Sequence, residues 1–143
     1  PAYVMDRVRK VHDFLTVGAA APLQEAVIAG LELPDSYYQG VRDLFTHRKN
    51  IFCKGLDDIG LKYYEPQGTY FVMVDIGEFG YESDYDFCID LARDVKVGAV
   101  PGSSFFKEPV NNYIRLHFAK SDETLHEALN NLSKIREIIK VKK

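Results

Sequence analysis

Apolar residues recur every three to four positions through the first sixty residues, the spacing of helices with one buried face. Val4, Val8, Val11 and Leu15 predict a helix over residues 3 to 14. Gly18 and the alanines at 19 to 21 break the pattern. Pro22 then suits the first turn of a second helix, with Leu23, Val27 and Leu31 on one side. Pro34 and Asp35 open a long third helix. Its stripe is Val41, Leu44, Phe45, Phe52, Leu56 and Ile59, and Gly60 is a good stop.

The period then shortens to two. Leu61 to Tyr64 reads as a short strand, and Pro66-Gln67-Gly68 has turn chemistry. Over 69 to 76, Tyr70, Val72, Val74 and Ile76 point one way and Phe71, Met73 and Asp75 the other, a strand of β-branched and aromatic residues. Ser83, with Asp86 three residues on, resembles a capping box for a helix with Phe87, Cys88, Leu91, Ala92 and Val95 as its stripe. Val97 to Val100 reads as a short strand ended by Pro101-Gly102. Residues 112 to 118 form another, with Ile114, Leu116 and Phe118 on one face and Tyr113, Arg115 and His117 on the other. Ser121 caps a last helix whose stripe runs Leu125, Leu129, Leu132, Ile135 and Ile139. The expected fold class is a two-layer α/β (α+β) domain: a small, mostly antiparallel sheet of three or four strands, covered by helices and preceded by helices.

Composition narrows the function. The 143 residues are 46% hydrophobic, 13% aromatic and 27% charged, as in a globular domain with a real core. No apolar run approaches the ~18 residues that span a bilayer. The net charge of -3 gives no general attraction to nucleic acid. Residues 75 to 94 are strongly acidic and residues 134 to 143 basic, read as a solvated face and a frayed end. The start at Pro1 is no signal peptide, and it suggests a chain processed, trimmed or cut from something longer. Cys53 and Cys88 lack metal or redox spacing and read as two buried thiols of a reduced, cytoplasmic protein. His12, His47, His117 and His126 are scattered, so no metal site is expected.

Three places offer chemistry. Arg115 stands mid-strand, where a guanidinium is costly to bury without an anion, and its planar fork suits a carboxylate. The residues alone leave three readings open: a carboxylate clamp, an exposed arginine on a half-wet sheet face, or a salt bridge to one of the many acids. Gly68 offers a left-handed turn or close approach of a ligand, with Tyr70 presenting a ring near the sheet edge; an ordinary turn is the other reading. Pro101-Gly102-Ser103-Ser104 makes a polar loop at a strand end. The Ser104-Phe105-Phe106-Lys107 match to an SxxK motif is rejected, because Glu108-Pro109 follows and no companion element exists. No complete catalytic set is visible.

An ordered string of motifs says more. Val-Arg-Lys-Val-His-Asp-Phe-Leu-Thr (8 to 16), Ala-Pro-Leu-Gln-Glu-Ala (21 to 26) and Tyr-Tyr-Gln-Gly-Val-Arg (37 to 42) come first. Glu-Pro-Gln-Gly-Thr-Tyr-Phe (65 to 71), Val-Gly-Ala-Val-Pro-Gly-Ser-Ser-Phe (97 to 105), Tyr-Ile-Arg-Leu-His-Phe-Ala (113 to 119) and Thr-Leu-His-Glu-Ala-Leu (124 to 129) follow. This string resembles the C-terminal part of class I/II aminotransferases, the pyridoxal-phosphate enzymes of the aspartate aminotransferase group. The resemblance implies an enzyme that moves an amino group between an amino acid and a 2-oxo acid. It implies that Arg115 binds the substrate α-carboxylate, that Tyr70 and Gly68 border the substrate, and that Pro101 and Gly102 shape hinge and pocket. Thr16 would approach a partner subunit's active site in a homodimer. Residues 1–33 would be a helical segment joining large domain and dimer interface, and 34–143 a mobile small domain. The Schiff-base lysine and the cofactor-binding elements match nothing here, so pyridoxal phosphate would be bound by a missing large domain, and this chain alone would be inactive. The alternatives are a non-catalytic binding or interaction module, or the equivalent domain of a carbon–sulfur lyase.

Overall fold

A computed structural model describes residues 1–139. The chain divides into two compact units, residues 1–40 and 41–143.

The first unit holds α1 (Ala2–Thr16), α2 (Ala21–Leu31) and the start of α3 (Asp35–Ile59). Pro22 lies in the first turn of α2, where its missing N–H costs nothing. The expected apolar stripes are present, yet they stay exposed: Phe14 and Leu15 are 87% and 81% exposed, and no described residue before position 41 is buried.

The second unit contains the core. The rest of α3 ends at Gly60, whose φ of 75° is the left-handed conformation that lets a helix stop. Then follow β1 (Tyr63–Tyr64), β2 (Phe71–Asp75), α4 (Asp84–Asp90), β3 (Val100–Pro101), β4 (Tyr113–His117), α5 (Asp122–Leu132) and α6 (Ile135–Ile138). The four strands form one sheet in the order β1-β2-β4-β3, and every pairing is antiparallel. In the central register Val72 faces Leu116 and Val74 faces Ile114, while Phe71 faces His117, Met73 faces Arg115 and Asp75 faces Tyr113. Directly paired residues share a face, so the sheet has one apolar and one mixed side.

The apolar side packs under Phe52 and Leu56 of α3, Phe87 of α4, Leu91, and Leu125, Leu129 and Leu132 of α5. Phe87, Leu91 and Leu56 are completely buried, each contributing about 1.5–3 kcal/mol of transfer free energy. This is the expected two-layer architecture.

Several boundaries differ from the expectation. The strand predicted at 61 to 64 pairs only at Tyr63 and Tyr64, because Leu61 is drawn into the core. The strand predicted at 97 to 100 pairs instead at Val100 and Pro101. The helix after Ser83 widens past Asp90 into a turn in which the Lys96 N–H reaches the Leu91 carbonyl. The last helix breaks at Ser133 and Lys134, and the break rotates Ile135 and Ile139 back into the core. Lys140, Lys142 and Lys143 of the basic end lie outside the described residues. Among the described residues no helix is long and apolar enough to cross a membrane.

Candidate functional site

Arg115 sits at the middle of β4, flanked across the sheet by Met73 and Val100. Alternation puts it on the mixed side, as the sequence predicts, and it is half-buried there. Its guanidinium carbon lies 4.8 Å from the centre of the Phe71 ring and 4.1 Å from that of Phe105. Two rings at this range attract the cation and exclude water from part of its surface. Among the described residues no carboxylate lies within ion-pair distance of it. The other arginine at a junction contrasts with it. Arg136 is consumed by Glu78 and by the carbonyls of Ile59 and Gly60 at the end of α3.

Gly68 and Tyr70 lie in the connection between β1 and β2. Both line a cavity of about 460 Å³, together with Val41, Phe45 and Lys49 of α3 and Phe118. Lys49 donates to Glu65 at 2.6 Å, and that hydrogen bond raises its pKa. Tyr70 is half-exposed, and its carbonyl accepts from the Phe118 N–H at 2.8 Å, continuing the β2–β4 ladder beyond its last pair. Of the readings left open for Gly68, the left-handed turn is not seen there; Thr69 takes that conformation, with φ 66°. A threonine tolerates this conformation only at a cost of order 1–3 kcal/mol. Thr69 Oγ1 accepts from the Phe71 N–H, a local bond that supports the turn. A Cβ on Gly68 would meet nothing within 4 Å, so that glycine leaves open space beside the cavity.

Arg115 does not line this cavity. Phe71 connects the two places: its ring meets Tyr70 edge-on at 5.8 Å and lies against Arg115. Tyr70, Phe71, Arg115 and Phe105 thus form a continuous row of contacts that reaches the middle of β4.

The loop carrying Phe105 is held by Gly102 and Ser103, which the sequence singled out, and by Asp84, which it did not. Gly102 is pressed against β4, where a Cβ would come within 2.5 Å of the Tyr113 carbonyl oxygen. Only glycine fits that approach. Asp84 is 2% exposed, and both its oxygens accept from Ser103, Oδ2 from the backbone N–H at 2.7 Å and Oδ1 from the hydroxyl at 2.8 Å. The acidic stretch was expected to be a solvated face, and Asp84 corrects that: a buried carboxylate is tolerated because two donors meet it. Glu78, engaged by Arg136, is also more than a solvated acid. Sequence reading missed Phe71 and Phe105 as well. Alternation had already placed Phe71 on the same face as Arg115, but nothing local ties position 105 to position 115.

Cys53 and Cys88 are both buried free thiols. Burial pushes both thiols up, Cys88 to about 11 with help from Asp84. Among the described residues no cluster of histidine, cysteine and carboxylate groups could hold a metal. Thr16 closes α1, and its side chain lies outside the described residues.

Four of the described lysines are engaged within the chain: Lys10, Lys49 and Lys54 are held by Asp6, Glu65 and Asp58, and Lys96 donates to the Arg93 carbonyl.

The sequence profile of the family "Aminotransferase class I and II" matches residues 1–132. A Mycobacterium tuberculosis protein named as a probable N-succinyldiaminopimelate aminotransferase is 31% identical over 96% of this chain and 37% of its own length. The methionine aminotransferase of Escherichia coli is 32% identical over 94% of this chain and 35% of its own. The solved N-succinyldiaminopimelate aminotransferase from Mycobacterium tuberculosis superposes with a TM-score of 0.75 at 33% identity, covering 93% of this chain and 35% of that one. The chain therefore spans about a third of the length of the relatives it matches. These relatives carry aminotransferase names, which does not favour the lyase and binding-module readings. Family profile, relatives and fold agree, and the chain belongs to the class I and II aminotransferases, a family that works with pyridoxal phosphate.

Proposed function

We propose that these 143 residues are the small-domain third of an aminotransferase that exchanges an amino group between an amino acid and a 2-oxo acid, and that Arg115 receives the substrate α-carboxylate. The observation that carries the reading is a half-buried guanidinium stacked by Phe71 and Phe105, with no carboxylate of the described residues in reach. A desolvated fork of this kind binds an incoming carboxylate through two parallel hydrogen bonds, and so orients the α-carbon. The rings guard the fork from water and strengthen the contact.

Tyr70 and Gly68 border the substrate in this reading, one supplying a wall and the other open space. The mobile small domain, residues 34–143, brings the row inward on closure. Residues 1–33 join the large domain and the dimer interface, with Thr16 towards a partner subunit. The cofactor is held by chain outside these residues, and no step of this proposal is routed through it. By itself the 143-residue chain is inactive, and the full enzyme works as a cytoplasmic homodimer.

The test is Arg115→Lys in the full-length enzyme. A lysine keeps the charge and loses the fork, so KM for the amino donor rises and kcat/KM falls by roughly a hundredfold. Unchanged kinetics would remove the clamp assignment.

A further inference from the structure

We propose that Asp84 is a positioning residue for the substrate-binding guanidinium, acting through Ser103 and Phe105; this rests on the reading that Arg115 takes the substrate carboxylate. The Asp84 carboxylate is the one buried charged side chain among the described residues, and it lies at the start of α4, nineteen positions before the residue it grips. Both oxygens are spent on Ser103 alone, so the carboxylate fixes that residue's backbone and its side-chain rotamer together. Immediately before Ser103, Gly102 rests on the Tyr113 carbonyl, two residues from Arg115. Immediately after, the short turn Gly102–Phe105 delivers the Phe105 ring to 4.1 Å from the guanidinium carbon.

Burial does not hold that ring, because Phe105 is 48% exposed. Its place is set by the backbone that carries it, and the anchor of that backbone is Asp84. An arginine side chain has many rotamers of similar energy, and a ring on one side of the guanidinium removes the alternatives. The α4 helix and the tip of β4 are thereby coupled through one carboxylate, whose loss releases the loop, then the ring, then the fork. A displaced fork binds carboxylate less well without altering groups elsewhere in the site.

The experiment compares two substrates in the full-length holoenzyme: the best amino donor among methionine, aspartate and kynurenine, and the amine made by removing that donor's α-carboxyl group. The ratio of their kcat/KM values reads the carboxylate contact alone. Asp84→Ala lowers this ratio about tenfold, mainly through KM for the donor, as expected for a misplaced contact. Asp84→Asn recovers most of it, because the amide oxygen still accepts from the Ser103 N–H. Phe105→Leu lowers the ratio in the same direction, and the double variant with Asp84→Ala adds little further. Equal losses on donor and amine in Asp84→Ala would overturn the proposal, since a merely structural role weakens both. Should Asp84→Ala fail to fold, Ser103→Ala removes only the hydroxyl bond and lowers the ratio about threefold; an unchanged ratio there overturns the proposal equally. Arg115→Lys separates the two readings. If it leaves the ratio unchanged, the clamp falls and this inference with it; if it lowers the ratio while Asp84→Ala does not, this inference alone falls.

Discussion

At the scale of single residues, burial decides chemistry. Arg115 is half-buried, with the aromatic faces of Phe71 and Phe105 standing where water would. Cys88 shows the same force acting on a weak acid. Its thiol is raised from 9.0 to about 11 by burial first and by the neighbouring Asp84 second. A raised acid pKa means that the unfolded chain loses this proton before the folded chain does. Stability from the buried thiol is therefore complete below pH 9 and is lost as pH rises from 9 to 11. The size is about 2–3 kcal/mol for two pKa units. Urea unfolding of the 143-residue chain at pH 8 and pH 11 should show this fall, and Cys88→Ala should reduce it. A pH slope identical in Cys88→Ala would mean the thiol is not responsible. Tyr81, raised from 10.0 to about 12 by burial and by Asp90, adds a decline from pH 10 to 12 that overlaps the upper part of this window and that the cysteine variant leaves in place.

At the scale of elements, the ends carry the design. Helix α3 finishes without a basic residue in its own last turn, and its last carbonyls are met from 76 residues away. Arg136 donates to Ile59 and Gly60 and to both oxygens of Glu78, tying α3, the Gly77–Phe79 turn and α6 together. Orphan carbonyls at a helix end need such donors. Arg136→Ala should cost about 1–2 kcal/mol, discounted from the usual value of charged hydrogen bonds because the side chain is 43% exposed. Arg93, equally well paired but only to Asp90 and Asp94 of its own turn, provides the comparison. Chemical denaturation of the two variants should rank Arg136→Ala as the more damaging, and the reverse order would show that joining elements adds nothing over local pairing.

At the scale of the whole molecule, stability and exposure are divided between the units. Every buried hydrophobic residue belongs to residues 41–143, while Tyr3, Phe14, Leu15, Val17 and Leu31 of the first unit are each more than 70% exposed. Apolar surface of that extent marks a surface made for covering. A chain of residues 35–143 should keep the unfolding midpoint of the 143-residue chain to within about 3 °C, since little buried surface is removed. It should also self-associate less, read by light scattering. A large drop in midpoint would show that the first forty residues stabilise the core. The chain spans about a third of the length of its relatives, so kinetic tests of Arg115 and Asp84 belong in the full-length enzyme.

The sequence by itself determined the elements, their order and, from α3 onward, the faces they bury, whereas the stripes of α1 and α2 stay exposed. Helical and strand periods are local, and they correctly placed Val72, Val74, Ile114 and Leu116 inside and Arg115 opposite them. The order of weak motifs determined the family, because seven of them in register are specific where each alone is not. Only the tertiary structure decided what surrounds the guanidinium. Phe105 and Asp84 reach their places through a loop and a buried carboxylate, contacts spanning 10 and 19 positions that no local period encodes. Tertiary packing also broke the last helix at Ser133, where burial of Ile135 and Ile139 overrides the preference of any one residue.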